Sequence, residues 1–280
     1  MATPTEPASR ALGGLPSDGH QAFRLMRFQL RDYLRSRRFL LMTALTLAIA
    51  AIVTVVVAHF RGGLVSTPAA FYGSFWGGGV AALIVFAGII YGGDAIAGEF
   101  QNKTGYFLMG LPLKRGTIYQ GKLLAAYLAS TTAVLLYLVV LVLNGIYYFG
   151  MGAFPWQLGA SLLLALLYLA ALLGTTFMFS SLFKTSAYAI LVVAVLFLFG
   201  FTIAQALVTD LVKIEPWFLI SYASPVIGNI FLDPYPSHSV TQFGLTSYTA
   251  TVPEAVLIMV LYFVLTTLAG YALFTREQFT

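Results

Sequence analysis

Residues 20–57 read HQAFRLMRFQLRDYLRSRRFLLMTALTLAIAAIVTVVV, and their two halves decide the fold. The second half, Phe39 to Val57, carries no charge over close to the roughly 20 residues that cross ~30 Å of hydrocarbon. The first half is basic and periodic. Arg24, Arg27, Arg31, Arg35 and Arg38 recur at steps of three and four, so a helix gathers them on one arc and places Phe23, Met26, Leu30, Tyr33 and Leu34 on the adjoining one. A helix over residues 20–38 with this pattern lies in the headgroup plane, its Arg stems snorkelling toward anionic phosphate and its aromatic side dipping into lipid.

The same apolar signature recurs at Phe75 to Tyr91, Leu123 to Ile146, Leu158 to Phe179, Ala187 to Leu207 and Ala255 to Phe274. The second of the six spans is the shortest and can borrow residues from either flank. Composition agrees: 59% of the 280 residues are hydrophobic and 9% charged, with mean hydropathy +0.87. A soluble domain carries about a quarter charged residues, so lipid must cover much of this surface. Thirteen of the fifteen Lys and Arg residues fall on one side of the six spans, and only Arg61 and Lys213 on the other. By the positive-inside rule both termini are cytoplasmic, and a multi-pass protein of the plasma membrane is expected. The net charge of +5 then reflects topology and gives no support to nucleic-acid binding. Residues 1–19, rich in Pro, Gly and Ser, are expected to be a disordered tail without the pattern of a cleaved signal peptide. The absence of Cys excludes disulfides and thiolate metal sites. The expected organisation is the tail, the interfacial helix of residues 20–38, and a transmembrane domain over 39–280 with a cytoplasmic loop at 92–122 and an external loop at 208–254.

Span 2 holds two small-residue pairs four apart, Gly73/Gly77 and Gly88/Gly92, which allow close backbone approach and place it centrally in a bundle or at a subunit interface. Thr131/Thr132, Thr175/Thr176, Thr266/Thr267, Asn144 and Gln205 supply the polar content of the spans, and read as helix hydrogen bonds rather than ligand sites. No buried carboxylate or broken helix marks an ion path, so an ion-coupled motor is missing.

The loop between spans 2 and 3 is too apolar for solvent. Tyr106, Phe107, Leu108, Met109 and Leu111 form a run that a partner protein would cover, and Pro112 separates it from a helix restarting toward span 3. Glu99 can pair locally with Lys103 four residues on, or hold the loop against a partner or an Arg of the entry helix. This loop, with Asp94-Ala-Ile-Ala-Gly-Glu99, Leu111-Pro112-Leu113-Lys114-Arg115 and Gly121-Lys122-Leu123-Leu124, resembles the permease subunit of ABC-2 transporters over about residues 20–278. The resemblance implies an all-α polytopic membrane protein with an N-terminal interfacial helix and six transmembrane helices, of the type V exporter-like fold. It implies that Glu99 ends the cytoplasmic extension of span 2, that Thr104 to Leu111 forms a coupling helix docking on an ATPase subunit, and that Gly121-Lys122 opens span 3. Coupling residues on this basis are Asp94, Glu99, Lys103, Thr104, Tyr106, Phe107, Leu108, Pro112, Lys114 and Arg115. One departure stands out: the family usually has Gly-Thr four and five residues after the Glu, where this chain has Lys103-Thr104 followed by Gly105.

Residues 210–253 are rich in aromatics and prolines, which favours short segments at the outer interface over a structureless loop. In the resembled family small external or re-entrant helices cap the translocation route here. Trp217 to Ile230 is the candidate, with Trp217, Phe218 and Tyr222 as gate residues. His59 and His238 are isolated in sequence, so no metal site is expected.

The chain lacks a Gly-x-x-x-x-Gly-Lys-Ser/Thr loop and is not expected to hydrolyse ATP; ATP and Mg would sit on a separate ATP-binding-cassette ATPase, with no cofactor on this chain. A second permease copy or paralogue and membrane lipids complete the expected partners. The expected function is a permease for export of a lipidic, amphipathic or hydrophobic substrate. An intramembrane enzyme is the alternative of a different class, but no His joins Asp94 or Glu99 in sequence to build a catalytic group. A membrane scaffold or immunity protein is the third.

Overall fold

The computed structural model describes residues 17–59, 67–103, 113–152, 154–242 and 245–276. Helix α1 (Asp18–Arg35) precedes six helices long and apolar enough to span a membrane: α2 (Arg37–His59), α3 (Pro68–Gln101), α4 (Arg115–Phe149), α5 (Gln157–Ser180), α6 (Ser186–Val212) and, after the intervening loop, α9 (Val252–Arg276). The protein is an all-α polytopic membrane protein in its spans. The loop between α6 and α9 holds two single-turn helices, α7 (Ile220–Ala223) and α8 (Val226–Asn229), and a hairpin of β1 (Ser239–Gln242) with β2 (Leu245–Tyr248). That hairpin is absent from the sequence expectation, although two short runs holding Val240, Thr241, Thr246 and Tyr248 around a two-residue connector ending in Gly244 are its signal.

Helix α1 stops three residues before the end expected for the entry helix. Ser36 is extended; its hydroxyl donates to the Tyr33 carbonyl at 2.6 Å and accepts from the Phe39 amide at 3.3 Å, ending α1 and capping α2 together. Arg37 and Arg38 therefore belong to the first turn of span 1. α1 packs against the start of α4. Its expected apolar side divides, with Met26 and Tyr33 buried against the bundle and Phe23 and Leu34 exposed. Arg24, Arg27, Arg31 and Arg35 remain exposed.

Span 2 is far longer than expected. Thr67 caps it by accepting from the Ala70 amide at 3.2 Å, Pro68 occupies the first turn, and the span runs 34 residues through two π-helical stretches, Tyr72–Gly77 and Gly88–Gly92, and a set of turns at 93–96. Two-thirds of its apolar window is buried (67%), against 17% for α6 and for α9, so α3 forms the centre with α5. Its glycines explain the packing. A Cβ at Gly88 or Gly92 would run into Leu172 or Thr176 of α5, while one at Gly77 would strike the backbone of Gly228. The first pair thus seats α8 rather than another span.

A hydrogen-bond chain locks that seat. The Trp76 indole N–H donates to Ser161 Oγ at 2.8 Å, and Ser161 donates to the Ile227 carbonyl at 2.5 Å, all buried. Each such bond contributes about 0.5–1.5 kcal/mol net, and losing one partner costs more because the other is left dry. Most span hydroxyls serve their own helix, as Thr131 does toward Tyr127 and Thr175 toward Ala171. Asn144 reaches across to Thr54 at 3.0 Å, tying α4 to α2, and Gln205 accepts from Ser221 at 2.7 Å, tying α6 to α7.

Candidate functional site

The basic end of the bundle gathers residues from four helices. Arg38, lifted onto span 1 by the Ser36 cap, makes a bidentate pair with Asp94, its two guanidinium nitrogens 2.7 and 2.5 Å from the carboxylate oxygens. Asp94 is buried, its side chain only 6% exposed. Lys122, buried in α4, donates to Glu99 and also to the Ala95 carbonyl at 3.1 Å. Both acids sit where α3 loosens into turns at residues 93–96 before resuming as Ala97–Gln101. Ser180, at the end of α5, holds that restart by accepting from the Ile96 and Ala97 amides at 3.0 and 3.1 Å. A freed helix N-terminus is satisfied by a side chain from a neighbouring span.

These pairs differ from the local ones that spacing suggests. Glu99 bonds to Lys122 rather than to Lys103, and the acid that meets an Arg is Asp94, its partner Arg38 lying in the first turn of span 1. Gly121-Lys122 also does not open α4: the helix begins at Arg115, and Gly121 lies where α1 crosses, a Cβ there falling 3.1 Å from the Ala22 carbonyl. The close crossing brings Lys122 beneath α1. Lys114 reaches Asp18 at 2.6 Å, which raises the pKa of its ammonium through that hydrogen bond, and Arg115 donates to the Thr275 carbonyl at 2.6 Å at the end of α9. Tyr33 closes the inner wall, its ring edge-on to Tyr91 at 5.3 Å; burial pushes its hydroxyl pKa well up and keeps it neutral. Asp32, Tyr33, Arg38, Asp94, Glu99 and Lys122 line a cavity of about 280 Å³ between α1 and the spans.

Thr104, Tyr106, Phe107, Leu108 and Pro112 lie outside the described residues. Ser180, Tyr33 and Gln101, which accepts from the Ser186 amide at 2.7 Å, were missed in the sequence. Only the small-polar ending of span 4, Ser180-Ser181, could have flagged the first.

The bundle thus has six spans, an N-terminal helix braced on the third, and two paired acids near the end of the second. The sequence profile of the ABC-2 family transporter proteins matches residues 25–279. The chain belongs to that family. A search among curated proteins found no match. ABC-2 membership makes it the membrane component of an ATP-binding-cassette transporter, a part that is not itself catalytic. It also gives meaning to the departure at Lys103, which adopts φ +56° where α3 ends and where the family usually has Gly. A left-handed residue with a Cβ costs about 1–2 kcal/mol. Lys103→Gly is therefore expected to stabilise the protein by about 1 kcal/mol, seen as a higher melting temperature in detergent; an unchanged or lower value would mean that Lys103 makes a compensating contact.

At the opposite end, Trp217 and Phe218 are exposed, and Tyr222 is buried. The Phe218 carbonyl accepts from Tyr262 at 2.6 Å. Tyr222 donates to Glu215 at 2.6 Å; burial first, then this bond, raises its pKa. Burial pushes the Glu215 carboxyl up, but hydrogen bonds from Tyr222 and Glu254 and the nearby His238 hold it below the ordinary range. His238 is thus not isolated: its Nε2 lies 3.2 Å from Glu215.

Proposed function

We propose that this chain is the permease subunit of an exporter, working as a homodimer or with a paralogue and driven by a separate ATP-binding-cassette ATPase that carries ATP and Mg. One observation supports it most: the ion pairs Arg38–Asp94 and Lys122–Glu99 cross-link spans 1, 2 and 3 beneath the segment that leads into residues 104–112. Work delivered to Thr104, Tyr106, Phe107, Leu108 and Pro112 would pass at once into three spans through Asp94, Glu99 and Lys103, while Lys114 and Arg115 would carry it into α1 and α9. The basic end then faces the cytoplasm of a plasma-membrane protein, with both termini, and the four exposed Arg residues of α1 meet anionic lipid. α7, which carries Tyr222, and α8, folded into the opposite end after Trp217 and Phe218, would cap the exit.

The spans carry Asp, Glu, Lys or Arg only near their ends, so an ion would meet a desolvation penalty with no carboxylate to offset it. A lipidic, amphipathic or apolar-rich substrate fits such a route. Phe107→Ala with Leu108→Ala is expected to leave membrane insertion intact and to weaken capture of the cognate ATPase by at least tenfold, removing two apolar anchors. Reconstitution of both subunits should show ATP hydrolysis stimulated by lipids or hydrophobic drugs. Undiminished capture, or stimulation by a small ion alone, would sink the coupling or the substrate assignment respectively.

A further inference from the structure

We propose that Glu215, His238 and Glu254 form a binding site for a zinc-class divalent cation at the end of the bundle opposite the basic one. Their nearest ligand atoms all lie within 4.8 Å of one another, although the three residues come from the segment after α6, the approach to β1 and the first turn of α9. Hydrogen bonding around His238 fixes which ring nitrogen faces the cluster. Its Nδ1 lies 3.0 Å from the Thr249 carbonyl, which can only accept, so Nδ1 carries the proton. In the neutral ring Nε2 then presents a lone pair, yet it faces the Glu215 carboxylate at 3.2 Å, and that carboxylate in turn faces Glu254. Nε2 and one oxygen from each of the two carboxyl groups thus converge on one point. A divalent ion satisfies all three together, whereas a proton satisfies one pair.

Each ligand is also aimed from behind, as metal ligands usually are. His238 is fixed by Thr249, Glu215 by the Tyr222 hydroxyl at 2.6 Å on its other oxygen, and Glu254 by the Thr251 amide at 3.2 Å. Around zinc, with bonds of about 2.0–2.2 Å, ligand atoms stand about 3.4 Å apart, so the closure required is one that side-chain rotation can supply. One imidazole and two carboxylates favour zinc and its neighbours over calcium or magnesium, which take all-oxygen shells. Three protein ligands leave a fourth position to water. The ion would staple the hairpin to the ends of α6 and α9.

The test uses the full chain, without a histidine tag, in lipid nanodiscs stripped by chelator and then exposed to Zn²⁺ alongside Ca²⁺ and Mg²⁺. Elemental analysis after desalting should find one zinc per chain and no retained calcium or magnesium. His238→Gln and Glu254→Gln, both at partly or fully exposed positions, should each weaken zinc retention at least tenfold, while His59→Gln should not. Co²⁺ absorption in the unaltered protein gives a readout that no folding defect can confuse, with bands of a low-coordinate imidazole and carboxylate site expected. Absence of stoichiometric zinc, or retention undiminished in both variants, would overturn the proposal.

Discussion

Lys122→Met should be among the most destabilising single changes in this protein. The ammonium is almost wholly buried, its side chain 4% exposed, and serves both Glu99 and the Ala95 carbonyl. Removing it takes from the Glu99 carboxylate, itself 19% exposed, the buried cation it pairs with. Breaking a buried pair from one side costs about 3–5 kcal/mol, whereas replacing both members by neutral groups is often close to harmless. The double variant Lys122→Met with Glu99→Gln should therefore recover much of the loss. Thermal or denaturant unfolding in matched detergent gives the cycle. A double variant no more stable than Lys122→Met would show that the two side chains are not energetically coupled.

Gly77→Val should be comparably damaging for a steric reason. A Cβ at residue 77 would overlap the Gly228 Cα and approach its amide nitrogen to 2.8 Å. These are backbone atoms of α8, so no side chain can swing aside. Overpacking of this kind costs about 1–3 kcal/mol even for a methyl group, and valine adds to it. The neighbouring Gly78 provides the control, since nothing lies within 4 Å of a Cβ there. Gly78→Ala should be neutral or stabilise by up to about 1 kcal/mol through helix propensity. Equal melting temperatures for Gly77→Val and Gly78→Ala would be falsifying for the seating of α8 on span 2.

What the sequence disclosed and what it withheld divide along the distance over which the physics acts. Six spans, the basic entry helix and the sidedness of Lys and Arg come from composition and period along the chain, and all were legible. So was the central place of span 2, because Gly73, Gly77, Gly88 and Gly92 have no other common purpose. The partner of each glycine was not legible: Gly77 meets Gly228 from a loop 151 residues away, and the small-residue spacing looks the same whether a span or a loop helix approaches. The pairing of acids and bases failed for a related reason. Spacing offers Glu99 a partner at Lys103, but the left-handed end of α3 falls on that very residue, and two helices crossing at Gly121 bring Lys122 closer. The neighbours of His238, Glu215 and Glu254, were not legible because they are 23 and 16 residues distant in sequence and meet it only in the fold. The break at Ser36 was legible and overlooked: a Ser three residues before Phe39 is an ordinary N-cap signal.

The π-helical stretches in spans 2 and 5 carry a genetic consequence. Each winds the chain more loosely than an α-helix, storing an extra residue inside a span without turning the faces on either side of it. Loss of one codon within such a stretch restores regular winding and leaves the flanking side chains aimed at their old neighbours. The same loss elsewhere in a span rotates everything beyond it by about 100° and turns lipid-facing residues inward. Loss of single residues among descendants of this gene is therefore channelled to these points within the spans, where a deletion would otherwise be poorly tolerated.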